Sequence, residues 1–245
     1  MAFTDRNGIP VRNALLSALP AADFARLRPR LQPVQLPFNE TVCPAGGAIG
    51  AVLFIETGMA SLLATLDDGE QIEVGIAGRE GFVGLPLVFG DDRSLVEIRM
   101  QLEGAALCIG AAAFRAALEE SAALRGLLLR YALAFHAQVT LTAVCNARHA
   151  IEQRLARWLL IAHDRAEADD FPMTHEFVSM MLGVRRPGVS LAAGMLQKAG
   201  LIRYSRGRLL IADRPGLEAA SCECYDNARR EFARLLGAGA PRKPD

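Results

Sequence analysis

Thr174-His175-Glu176-Phe177-Val178-Ser179-Met180-Met181-Leu182-Gly183-Val184-Arg185-Arg186 decides how this 245-residue chain is read. Thr174 offers the side-chain oxygen of a helix N-cap. Phe177, Val178, Met181 and Leu182 recur at helical spacing behind it, and Gly183 supplies a turn. Arg185 and Arg186 then enter a second helix, where Pro187 is tolerated because a first-turn N–H has no intrahelical partner. Val189, Ala193, Leu196 and Leu201 carry the apolar stripe onward, and Gly200 ends the helix. Residues 202–204 and 209–211 read as two short strands joined through Ser205-Arg206-Gly207-Arg208. This order predicts a winged helix-turn-helix.

Residues 174–210 hold six basic side chains and one acid. A helix lying in a major groove presents its N-terminal side chains to base edges, and an Arg fork matches the O6 and N7 acceptors of guanine. Arg185 and Arg186 occupy that end. Ser190 lies one turn further along, and Thr174 opens the preceding helix. Lys198, Arg203, Arg206 and Arg208 are spaced to neutralise phosphates, which adds affinity and salt dependence without reading sequence. Double-stranded DNA is the expected partner.

The net charge is zero, but it is divided unevenly. Residues 1–145 carry 11 basic and 15 acidic side chains, and residues 146–245 carry 16 and 12. A basic C-terminal half joined to an acidic N-terminal half fits a sensor attached to a DNA module. Hydrophobic content of 51% allows a core in each of two domains. Arg130 and His136 interrupt the longest apolar run, and residues 1–10 lack a signal-peptide core. No membrane association is therefore expected, and a cytoplasmic location is. Cys43, Cys108, Cys145, Cys222 and Cys224 are odd in number and scattered, so they predict no disulfide framework. With no second pair and with dispersed histidines, Cys222-x-Cys224 is a weak metal signal and reads as buried or idle thiols, a redox role being the alternative.

Outward from the DNA module the periodicity changes twice. Residues 11–31 are helical, broken at Pro20. Strand-like runs at 52–56, 59–66, 71–76, 95–102 and 105–109 follow, with Asp67-Asp68-Gly69 as a hairpin turn. Regular short strands predict an antiparallel barrel or jelly roll. From 111 to about 166 the pattern is helical again, with a break at Glu119-Glu120-Ser121. The fold class is therefore α+β: a sensor domain over 1–120, a long helix over 121–146, a winged helix-turn-helix over 147–220, and a C-terminal helix and tail over 221–245. Arg148, His149, Arg154 and Arg157 fall near the junction of the halves.

In the long helix, Leu124, Leu128, Tyr131, Phe135, Gln138, Thr142 and Cys145 follow a four-and-three spacing that reads as a dimer seam, the alternative being a core helix wholly within the chain, since Gln138 and Thr142 weaken the seam. Leu127, Leu133, Leu141 and Val144 are expected to pack on the barrel. A homodimer suits the DNA reading, since two recognition helices on a twofold axis meet successive major grooves.

Barrel, long helix and winged helix-turn-helix in one chain resemble the Crp/Fnr superfamily of bacterial transcription regulators over about residues 34–215. The stretch quoted first is similar to that family's helix, glycine turn and Arg-Arg start of the recognition helix, and Leu196-Gln197-Lys198-Ala199-Gly200-Leu201-Ile202 is similar to its exit into the wing. Pro187 and Leu191 depart from the family pattern, so its preferred half-site does not carry over. RNA polymerase and a small-molecule effector are the further partners the resemblance implies.

The stretch from Gly81 to Phe89, with Arg93-Ser94, resembles the family's cyclic-nucleotide-binding barrel and marks Gly84, Leu85, Arg93 and Ser94 as effector candidates. Leu85 replaces the Glu that holds a ribose hydroxyl in cyclic-nucleotide binders. A leucine leaves that hydroxyl unpaired, at about 1–3 kcal/mol. Cyclic AMP is not expected. Residues 1–30 hold no cysteine for an iron-sulfur cluster, and no spacing selects a haem ligand. No cofactor is expected. Catalytic triads, supported carboxylate pairs and phosphate loops do not occur, so the chain does not read as an enzyme.

Overall fold

The computed structural model describes residues 3–205 and 207–237. At the N-terminus Asn13 caps α1 (Ala14–Ser17) by accepting from the Leu15 and Leu16 amides, and Pro20 opens α2 (Ala21–Leu27). Six antiparallel strands follow: β1 (Gln32–Leu36), β2 (Thr41–Cys43), β3 (Ala51–Thr65), β4 (Gln71–Ala77), β5 (Phe82–Val83) and β6 (Glu97–Gly110). β3 and β6 pair along most of their length. β1 and β5 flank one end of that pair and β2 and β4 the other. Among the described residues the hydrogen-bonded path does not close. The predicted barrel is an open sheet built on two long strands.

The runs read as 52–56 and 59–66 are one strand, and so are 95–102 and 105–109. Register shifts between Ile55 and Ala60 mark bulges at which the chain bends without leaving the ladder. Gly58 sits there at φ +83, a conformation that glycine adopts freely. Such a bend mimics a turn in the sequence. The Asp67-Asp68-Gly69 turn does join β3 to β4, with the Leu66 amide donating to the Glu70 carbonyl at 2.8 Å.

Beyond the sheet lie α3 (Ala111–Glu120) and α4 (Ala122–Arg148), the latter capped by Ser121. Next come α5 (Ile151–His163), β7 (Asp170–Pro172), α6 (His175–Leu182), α7 (Arg186–Lys198), β8 (Ile202–Ser205), β9 (Arg208–Ile211), α8 (Arg214–Ala220) and α9 (Cys224–Leu236). β7 pairs with β9 and makes the predicted hairpin three-stranded. α9 returns to pack along α4, its Phe232 ring edge-on to Tyr131.

The predicted dimer seam is corrected by this packing. Leu124, Leu128, Tyr131, Gln138 and Cys145 are buried within the chain's own fold, and Phe135 and Thr142 are half-buried. Tyr131 continues a cluster of rings with Phe82, Phe54 and Phe114, and Gln138 accepts from the Ile76 amide at 2.8 Å. Leu133 and Val144, expected to pack on the sheet, are exposed instead, as is Leu129. A four-and-three spacing records that one helix face is covered, not whether a sheet or a second chain covers it. By length and composition α4 could also cross a membrane, because its mean hydropathy outweighs Arg130; one third of its most apolar window is buried in this fold.

Two apolar cores meet at the sheet. One joins α1–α4 to the sheet and takes in Phe232; the other gathers α5–α8 but also Met59, Leu63 and Ile76 of the sheet. Polar contacts cross the same boundary. Arg165 donates to Glu80 at 2.5 Å with both groups buried, and Trp158 Nε1 donates to Glu73 at 2.8 Å. Glu73 also accepts from Ser61. Burial pushes the Glu73 carboxyl up to about 7, against the pull of these donors. Gly183, left-handed at φ +58, lies against Ile72 of β4, whose side chain a Cβ would displace. The turn of the DNA module is thus pressed onto the sensor sheet.

Candidate nucleic-acid interface and sensor cavity

The Thr174 hydroxyl accepts from the Phe177 amide at 3.1 Å and starts α6 where the sequence predicts it. Val178, Met181 and Leu182 are buried, and Phe177 meets Trp158 edge-on. Gly183 then turns the chain so that Arg185 takes the N-cap position of α7, without a side-chain capping bond, and Arg186 begins the helix. Val189, Ala193 and Leu196 bury the inner face of α7. Its outer face presents Arg185, Arg186, Ser190 and Lys198 to solvent. Arg186 is 68% exposed and only 4.0 Å from the equally open Glu176, a contact weak enough to be exchanged for a phosphate.

Arg203 and Arg208 are exposed on the wing strands; Arg206 lies outside the described residues. Gln197 Oε1 accepts from the Tyr204 amide at 2.9 Å, fixing the wing to the recognition helix. Two partnerships escape the sequence reading. Arg208 bridges to Asp170 of β7 at 2.6 Å, which no local pattern announces. Ser190 Oγ lies 2.9 Å from His175 Nδ1, and the His175 ring stacks on Tyr204 at 4.5 Å. Burial, then the nearby Arg186 charge, hold that imidazole below its usual pKa.

The effector candidates lie in the sensor sheet and the loop that follows β5. Gly84 and Leu85 border a cavity of about 200 Å³ between the sheet and α4, walled chiefly by Leu62, Val74, Phe82, Ile98, Tyr131 and Phe135. Among the described residues no charged side chain lines it. Ser94 reaches it, but its hydroxyl donates to the Val96 carbonyl at 2.7 Å. Arg93 does not line it; its guanidinium donates to the Gly46 carbonyl at 3.0 Å and its amide to Asp91.

A further cluster is assembled only in three dimensions. Cys145 and His149 at the end of α4 meet Cys222 and Cys224 at the start of α9, with the four candidate ligand atoms within 4.8 Å of one another. The histidines are not all remote from the cysteines, as the sequence spacing implies. Cys145 is therefore no part of an exposed seam, and its contact with Cys222 pulls the Cys222 thiol pKa down.

Two family models match the chain: a cyclic nucleotide-binding domain over residues 33–121 and a Crp-like helix-turn-helix domain over residues 153–220. No curated protein matches it in sequence. Among solved structures it is similar to FixK2 from Bradyrhizobium japonicum, with 15% identity and a TM-score of 0.65 over 78% of this chain and 98% of that one. It is also similar to a CRP-family transcriptional regulator from Thermus thermophilus, with 20% identity and a TM-score of 0.62 over 77% and 96% of the two chains. A third is CLP, the c-di-GMP responsive global regulator from Xanthomonas campestris, with 20% identity and a TM-score of 0.61 over 78% and 99%. With both domain models in order along a fold shared with these regulators, the chain belongs to the Crp/Fnr superfamily as a DNA-binding transcription regulator rather than an enzyme.

Proposed function

We propose that this regulator acts as a cytoplasmic homodimer that reads a two-fold operator with Arg185 and Arg186, under the control of a compact apolar effector. The exposed arginine pair at the start of α7, directly after the Gly183 turn, carries the reading. Arg185 and Arg186 contact base edges. Lys198, Arg203, Arg206 and Arg208 contact phosphates, Thr174 and Ser190 border the groove, and RNA polymerase is the partner on which bound regulator acts. Fluorescence anisotropy with promoter DNA across a salt series tests this. Six to ten phosphate contacts predict a loss of about 10³–10⁵ in affinity between 50 and 200 mM salt. Unchanged binding by the Arg185→Ala, Arg186→Ala variant would refute the assignment.

The exposed face of α4 supports a dimer different from the predicted seam. Ala122, Gly126, Leu129, Leu133, Thr140 and Val144 form an apolar, small-residue stripe on the side away from the sheet. Small residues let two such helices approach closely while Leu129 and Leu133 bury. Leu133→Glu is expected to halve the mass in sedimentation and weaken operator binding while leaving the helical content unchanged.

The cavity supports an effector without charge. A cyclic phosphate there would be desolvated with no cation to meet it, whereas apolar atoms would replace empty contacts with Phe82, Tyr131 and Phe135. At about 200 Å³ it is smaller than the roughly 300–1,000 Å³ of sites for drug-sized ligands. Such a ligand bridges sheet and α4, so it shifts the regulator by its differential affinity for two helix positions. Calorimetry with cyclic AMP is expected to show no heat of binding.

A further inference from the structure

We propose that Cys145, His149, Cys222 and Cys224 form a zinc(II) site that staples α9 to the end of α4, where the long helix passes into the DNA module. Cys145 and His149 stand four residues apart and so share one face of the last helical turn, His149 being the C-cap residue whose amide donates to the Cys145 carbonyl at 3.1 Å. Cys222 lies in the turn after α8, and Cys224 is the first residue of α9.

Two separations among the four ligand atoms match the edges of a tetrahedral set, and all of them fall within 4.8 Å. Cys145 Sγ is 3.5 Å from Cys222 Sγ, and Cys224 Sγ is 3.7 Å from His149 Nδ1. Metal–ligand bonds of about 2.0–2.3 Å place the corners of a tetrahedron about 3.3–3.8 Å apart. Three thiolates and one imidazole are a standard structural zinc set, soft enough to disfavour magnesium or calcium.

The surroundings supply what such a centre needs. His149 turns Nδ1 to the thiols and Nε2 toward Glu223, 3.4 Å away, the carboxylate partner that fixes the tautomer of a metal-bound imidazole. All three cysteines are nearly inaccessible to solvent. Zinc with three thiolates carries one net negative charge, and two buried guanidinium groups of α5 face it. Arg157 and Arg154 exert their field on Cys145, and among the described residues the buried Nε of each has no hydrogen-bond partner. Their terminal nitrogens donate to neutral oxygens of Thr142, Asn146 and Leu182. An anionic metal centre offsets that buried positive charge.

The staple has a structural consequence. α9 reaches back along α4 until Phe232 meets Tyr131, a wall of the sensor cavity. A metal at the start of α9 therefore fixes one end of a helix whose other end supports the effector pocket.

Metal analysis of the full-length reduced protein tests the proposal. One zinc per chain is expected, retained through gel filtration and lost in the Cys222→Ser, Cys224→Ser variant but kept in Cys43→Ser. Cobalt(II) titrated into metal-stripped wild-type protein is expected to give thiolate charge-transfer bands and the intense d–d bands of a tetrahedral site, so this arm needs no variant to fold. His149→Cys, which keeps a tetrahedral donor set, is expected to retain metal where His149→Ala loses it. Zinc retained by the double serine variant, or no cobalt spectrum and no zinc uptake by reduced wild-type protein, overturns the proposal. So does a Cys145–Cys222 disulfide in the isolated protein that persists when zinc is supplied with reductant.

Discussion

The recognition helix and the sensor cavity belong to different parts of one fold and follow opposite rules. On α7 the charged groups face water, and the apolar residues beneath them only hold the helix in place. Around the cavity the working surface is the apolar lining itself, and Arg93, the effector candidate with a charge, donates instead to the Gly46 carbonyl. A polyanion can be met only by charges that stay solvated until it arrives, because burying them unpaired is costly. A compact apolar ligand needs a preformed gap in the packing. Binding and stability should therefore separate at the first part and stay coupled at the second.

The largest effect expected from this contrast is in the DNA module. Two Arg contacts to base edges in each half-site, each worth about 1–3 kcal/mol, predict at least a roughly 30-fold loss per half-site, on the order of 10³-fold for a dimer on its operator, in Arg185→Ala, Arg186→Ala, with little change in thermal midpoint. A large drop in midpoint would break the separation. At the cavity the order reverses. Phe82→Ala removes a buried ring packed on Tyr131 and Phe54 and is expected to cost about 3–5 kcal/mol of folding stability in denaturant titration. A near-neutral result would mean that the lining yields rather than holds a shape.

A smaller effect is expected at the boundary between the two parts. The Glu73 carboxyl is raised from 4.5 to about 7 in the fold, so the folded state binds more protons than the unfolded one across that interval. Its favourable contribution is complete below pH 4.5 and disappears as pH rises through 7. Glu73→Gln, a mimic of the protonated form, should therefore gain stability relative to wild type between those values. A difference between the two proteins that is flat with pH would argue against it. Smallest is Arg208→Ala. Its bridge to Asp170 is half-exposed and contributes little to folding, while losing one phosphate contact per protomer should lower the salt-dependence slope of the dimer by about two.

The helix-turn-helix is legible in the chain because its signals are local. Thr174 caps, Gly183 turns, Pro187 sits where a helix tolerates it, and the stripe from Val189 to Leu196 repeats every turn. The hairpin at Asp67-Asp68-Gly69 and the break at Ser121 are legible for the same reason. Each is decided by residues a few positions apart, through backbone preference and hydrogen bonds within one turn.

The partner of each face depended on tertiary structure. The spacing from Leu124 to Cys145 reports a covered stripe, yet whether the sheet or a second copy covers it depends on where distant strands come to lie, as the bond between Gln138 and Ile76, 62 positions apart, illustrates. β7 is only three residues long and becomes a strand by pairing with β9. Cys145 and Cys222 are 77 positions apart, and their thiols meet only because α9 folds back onto α4. Local periodicity states which side of an element avoids water; which group it meets there is decided by long-range packing, in which every element constrains the rest.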